Sequence, residues 1–154
     1  IKLRKVLAIA LLATAIWLGS VLYHVNNPNN TQIADDGGKI AWQKFSTEAV
    51  KTAVAQGQTV FVDITADWCI TCQANKRLTL HQEEIIQKFR EDKVITLQGD
   101  WTRADQEITA YLQSYKKYGI PFNIVYGPNA PEGIILPELL TTEAVLNALS
   151  QAAK

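Results

Sequence analysis

Asp67-Trp68-Cys69-Ile70-Thr71-Cys72 holds the only two cysteines of the chain, two residues apart and directly after the apolar run Val60 to Ile64. A lone thiol pair at a strand-to-helix junction points to electron exchange. A zinc or copper site needs about four suitable ligands, and neither His24 nor His81 has ligand spacing. A structural staple closing so short a loop removes little unfolded-state entropy, roughly 2 kcal/mol. Inert core thiols fit poorly beside Asp67, Trp68 and Thr71, which argue for an exposed junction. At a helix N-terminus, unpaired amides and the macrodipole favour a thiolate, so Cys69 is expected to be the nucleophile and Cys72, a turn inside, the buried resolving thiol. No cofactor beyond a Cys69–Cys72 disulfide is expected.

Asp63 interrupts Val60-Phe61-Val62-Asp63-Ile64 where a central strand should be dry. Burial there would raise its pKa and make it a proton acceptor for Cys72; the alternative is an acid at a strand end, paired or reaching water. Trp68, beside the nucleophile, would shield and shape the site. Pro121 marks either a sheet edge or a cis Ile120-Pro121 bond that offers main-chain groups to a docking partner strand.

These residues need a scaffold, and from Ile40 the elements alternate. A short strand is expected at 40–42 and a helix at 47–56, capped by Ser46 and stopped by Gly57. A strand buried on both sides follows at 59–65. The helix opened by the cysteines should break near Thr79, where Thr79-Leu80-His81-Gln82 reads as a capping box. A strand at 94–97, a helix signalled by Thr102-Arg103-Ala104-Asp105 and stopped by Gly119, a strand at 120–126, a hairpin partner at 134–136 and a helix from Thr141 or Thr142 complete the order. β-α-β-α-β-α-β-β-α, with parallel crossovers giving way to a terminal hairpin, is the α/β thioredoxin arrangement.

Ahead of that domain, Val6 to Tyr23 carries no charge, and with His24 and Val25 it reaches about 20 residues, enough as a helix for the roughly 30 Å of a bilayer core. Lys2, Arg4 and Lys5 precede it and no basic residue follows until Lys39, which places the N-terminus in the cytoplasm and the rest outside. A cleaved signal peptide ending at Ala13-Thr14-Ala15 is the competing reading, and both export the domain. Residues 1–25 are thus expected to be a transmembrane helix, 26–39 a flexible linker rich in Asn, Asp, Gly and Pro, and 40–154 the folded domain. The chain contains no methionine, which suggests a fragment with more membrane protein upstream. All 15 acidic residues follow the basic leader, and no basic patch suggests nucleic acid.

Four segments together, 62–72, Gly-Asp-Trp-Thr-Arg-Ala-Asp at 99–105, Gly-Ile-Pro-Phe-Asn-Ile-Val-Tyr at 119–126 and Leu-Pro-Glu-Leu-Leu-Thr at 136–141, resemble the C-terminal thioredoxin-like domain of the bacterial transmembrane thiol:disulfide interchange reductases, the DsbD family. The resemblance covers about residues 40–152. It implies a domain on the periplasmic side of the inner membrane that takes electrons from an upstream transmembrane domain and passes them to periplasmic thiol-disulfide proteins serving disulfide isomerisation and cytochrome c maturation. It matches Cys69 and Cys72 to the redox pair, Asp63 to the buried acid, Trp68 to the tryptophan before the first cysteine and Pro121 to the cis-proline. One departure is Lys76, where many members carry glutamate; near the site, it would favour the Cys69 thiolate. Other readings are a freestanding anchored reductase for apocytochrome c and, from a different class, a copper-delivery module.

Overall fold

The computed structural model describes residues 11, 12, 14–16, 18 and 40–153. The chain separates into two units, Ile1–Ala34 and Asp35–Lys154. In the first, the described residues are helical, and the Thr14 hydroxyl donates to the Leu11 carbonyl at 2.9 Å. Most of the expected anchor, and all of the expected linker at 26–39, fall outside the described residues. Among those described, no helix is long and apolar enough to cross a membrane.

The second unit is built on a five-stranded mixed sheet. Its strands are β1 (Gln43–Lys44), β2 (Val60–Thr65), β3 (Ile95–Asp100), β4 (Phe122–Gly127) and β5 (Ala130–Ile135), in the spatial order β1-β3-β2-β4-β5. β1 and β2 each pair with β3 in parallel, whereas β4 pairs antiparallel with both β2 and β5. The helices are α1 (Thr47–Ala55), α2 (Ile70–Asn75), α3 (Glu83–Glu91), α4 (Gln106–Ser114) and α5 (Thr142–Ala153). Between α2 and α3 lies a π-helical turn, Lys76–Leu80, closed by the His81 amide donating to the Lys76 carbonyl at 2.9 Å.

Side chains alternate across a strand, and β2, with every residue buried, sends them to two cores. Val60, Val62 and Ile64 pack with Val50 and Ala53 of α1 and Ile108, Tyr111 and Leu112 of α4. Phe61 points the other way, among Ile85, Ile86 and Phe89 of α3 and Val145 and Leu149 of α5. Asp63 and Thr65 share Phe61's parity and therefore its face of the sheet.

Several boundaries differ from the sequence expectation for identifiable reasons. The first strand is at 43–44 rather than 40–42, because Ile40 and Trp42 are used as core residues and Ala41 gives its carbonyl to the Thr96 hydroxyl at 2.9 Å. Thr79 is not a cap. It sits inside the π turn with its hydroxyl donating to the Leu140 carbonyl at 2.9 Å, and Gln82 takes the N-cap place of α3 without a side-chain bond. α4 is capped by Asp105, whose carboxylate accepts from the Ile108 amide at 2.9 Å. It ends at Ser114, before Gly119, with Lys116 itself in the left-handed region at φ 56°. Ser46 does cap α1, accepting from the Ala49 amide at 3.1 Å.

A second tie fixes the redox helix. Asn75, at the end of α2, donates through Nδ2 to the Glu138 carbonyl at 2.7 Å and accepts through Oδ1 from the Leu140 amide at 2.9 Å. With Thr79, it binds the α2 region to the segment leading into α5.

Candidate active site

β2 ends at Thr65, and four residues later the chain enters α2 with Cys69 as its N-cap. Two bonds shape this junction: the Cys69 amide donates to the Ala66 carbonyl at 3.1 Å, and the Cys72 amide donates to Cys69 Sγ at 3.2 Å. The two sulfurs are joined in a disulfide, with Cα atoms 5.2 Å apart. Although Asp67, Trp68, Ile70 and Thr71 around them are exposed, Cys69 is only 6% exposed and Cys72 2%. The expectation of an exposed junction therefore holds for the neighbours and not for Cys69, while Cys72 is buried as its place a turn inside the helix leads one to expect. Ala66 and Ile120 supply the difference by packing against the pair.

Ile120 and Pro121 are joined by a cis peptide bond immediately before β4. Trp68, 60% exposed, keeps its indole N–H on the Thr102 carbonyl at 3.2 Å, and the Asp67 amide donates to the Thr102 hydroxyl at 2.9 Å. The Thr102 hydroxyl in turn reaches Asp100 Oδ1 at 2.5 Å, so the loop after β3 holds the segment that precedes the nucleophile. Trp68 and the 85% exposed Ile70 give the segment carrying the disulfide an apolar surface.

Asp63 lies on the face of β2 that Phe61 also uses, and is 3% exposed. Its register partners are Gln98 on β3 and Asn123 on β4. Gln98 Nε2 donates to Oδ2 at 2.9 Å, and Asn123 Nδ2 donates to Oδ1 at 2.8 Å. Burial pushes the Asp63 carboxyl above its ordinary range, opposed by the Lys76 ammonium and then by the two amide donors. Lys76, half-buried in the π turn, thus acts electrostatically on Asp63. The structure accordingly brings Asp63 and Lys76 into one electrostatic group, and Cys69, Cys72 and Ile120 into one packing group.

Gln98 and Asn123 were not singled out by the sequence reading. For Asn123 a signal is present, a polar residue inside the apolar run Phe122 to Tyr126, as Asp63 is in its own; Gln98 lies beyond the strand expected at 94–97 and carries none. Among the described residues no group of three or more His, Cys, Asp or Glu side chains gathers as metal ligands would.

Comparison with known proteins gives a consistent picture. A family model described as thioredoxin-like matches residues 41–128. The thiol:disulfide interchange protein DsbD of Ralstonia nicotianae is 32% identical over 91 residues, covering 57% of this chain and 15% of that protein. The chain therefore spans about a sixth of the length of such relatives, with 15% and 20% covered in two of them. The oxidised C-terminal domain of Neisseria meningitidis DsbD superposes with a TM-score of 0.56 at 25% identity, covering 71% of this chain and 99% of that one. A thioredoxin from Thermus thermophilus shares the fold, with a TM-score of 0.56 at 20% identity over 73% of this chain and 86% of its own. With its sheet order, its disulfide at the entry to α2 and a family match across more than half its length, the chain belongs to the thioredoxin-like family and is homologous to the DsbD thiol:disulfide interchange proteins.

Proposed function

We propose that this chain is the exported thiol:disulfide oxidoreductase module of a membrane electron relay, taking electrons from an upstream transmembrane dithiol domain and reducing protein disulfides on the periplasmic side of a bacterial inner membrane. The observation that carries the chemistry is the Cys69–Cys72 disulfide at the entry to α2, just beyond a strand whose buried Asp63 feels the charge of Lys76 in the turn that continues the redox helix. Homology to DsbD supports the relay, and the basic-flanked apolar leader supports the location.

In the reduced domain, the Cys69 thiolate attacks a partner disulfide, forming a mixed disulfide and releasing the partner's first sulfur as a thiolate. Cys72 then gives its proton to the Asp63 carboxylate and attacks Cys69 Sγ. The Cys69–partner bond breaks, its electron pair leaves on the partner's second sulfur, and the Cys69–Cys72 bond remains. Two electrons have passed to the partner, and an upstream dithiol restores the domain. Ile120, Pro121 and Trp68 form the docking rim, with Trp68 held in place through Thr102.

Cys72→Ser tests this directly. The variant is expected to accumulate a mixed disulfide through Cys69, visible as a reducible higher-mass band that Cys69→Ser lacks. Recovery of no adduct when the variant is offered oxidised protein substrates would reject the mechanism. Tight one-to-one copper binding by the reduced wild type, with no disulfide turnover, would favour the metal-delivery reading instead.

A further inference from the structure

Three adjacent strands place a polar side chain at one level: Gln98 on β3, Asp63 on β2 and Asn123 on β4. All are buried, at 8%, 3% and 2% exposure. Folding alone does not ask for this row. Apolar residues of similar shape at all three positions would leave no buried polar group to satisfy, and strand interiors favour β-branched and aromatic side chains. The row is also directional. Both amides turn their N–H groups to the carboxylate, one on each oxygen, while Asn123 Oδ1 is left buried with no partner among the described residues.

We propose that Gln98 and Asn123 are positioning residues of the resolving step, holding the Asp63 carboxylate by both oxygens and stabilising its ionised form so that it is ready to take the Cys72 proton. The inference rests on the reading of Asp63 as proton acceptor. A carboxylate has about four lone-pair sites. The amides engage one on each oxygen, which fixes the group's plane and leaves the others for the incoming proton. Donors to the anion oppose the effect of burial. Lys76, from the π turn, is the charged group acting on Asp63, and β3 and β4 present neutral amides. Losing either donor should therefore make Asp63 harder to ionise and the resolving step slower at a given pH.

The test is the pH profile of protein-disulfide reduction by the full chain carrying Gln98→Met or Asn123→Leu. Each variant is expected to move the acid limb to higher pH, with turnover below the limb down by about tenfold per lost donor, and the double variant is expected to move it further. An unmoved limb in both folded variants, with Asp63→Asn abolishing the limb, overturns the proposal and leaves Asp63 as acceptor. A wild-type limb in Asp63→Asn overturns the acceptor reading itself. If the variants do not fold, the wild type decides by NMR: the side-chain amide signals of Gln98 and Asn123 should titrate with the Asp63 carboxyl carbon. Amide signals that stay fixed through that titration overturn the proposal.

Discussion

A carboxyl group inside a sheet is unfavourable for folding in its ionised form, and Asp63 retains part of that penalty despite two amide donors and the Lys76 ammonium. Its folded pKa is raised, so the native state holds the proton more tightly than the unfolded chain does. The contribution to stability is fully present below the ordinary carboxylate range and is lost as pH rises through the folded value. Asp63→Asn should therefore raise the melting temperature at pH 7 and flatten its decline with pH, while slowing turnover. A gain of 1 kcal/mol would show as roughly 4 °C or more in a domain of this size, and a melt series across pH is the measurement. Asn123 makes the substitution tolerable, because its free Oδ1 can turn to accept the new amide N–H while Gln98 keeps donating to the new oxygen. At this scale Cys69, Cys72 and Asp63 were legible in the sequence, since a lone thiol pair and an acid in an apolar run are rare patterns. Gln98 and Asn123 were not: Gln98 lies beyond the strand expected at 94–97, and a polar residue such as Asn123 in a strand has many uses until the register shows which neighbours it faces.

The α2 region is a six-residue helix continued by a π turn, too short to hold its own geometry. Its order comes from Asn75 and Thr79, which reach across 61 to 65 positions of sequence to the segment before α5. Asn75→Leu leaves the buried Leu140 amide without an acceptor and is expected to destabilise the fold by about 1–3 kcal/mol, read as a lower denaturant midpoint. A midpoint within experimental error of wild type would show that Asn75 does not anchor the helix. The order of elements was readable from periodicity and turn residues. Thr79 marks the limit of local pattern. Thr-Leu-His-Gln fits a capping box locally, but the hydroxyl was committed to a carbonyl that only the folded chain brings near.

At the scale of the whole molecule, the prediction concerns sidedness. If the leader spans a membrane with its basic flank inside, a membrane-impermeant maleimide should label reduced Cys69 in intact spheroplasts. Labelling only after lysis would reject export of the domain. Composition carried this expectation, since an uncharged stretch next to a basic cluster is a pattern of solvent preference that needs no tertiary contact to be read. The division of β2 between two cores is equally legible from its apolar run, which only Asp63 interrupts between Val60 and Ile64, but which helix lies on which face depends on crossovers that the run does not encode.

β2 is paired along its whole length with β3 in parallel and from Val60 to Ile64 with β4 antiparallel, and none of its residues is exposed. The strand that leads to the disulfide therefore belongs to the part of the domain that opens last, while the bond that changes with each turnover lies beyond its end. Oxidation and reduction can alternate there without the sheet opening. Amide hydrogens of β2 should exchange with solvent only through global unfolding, at rates set by total stability and not by how often the thiols are used.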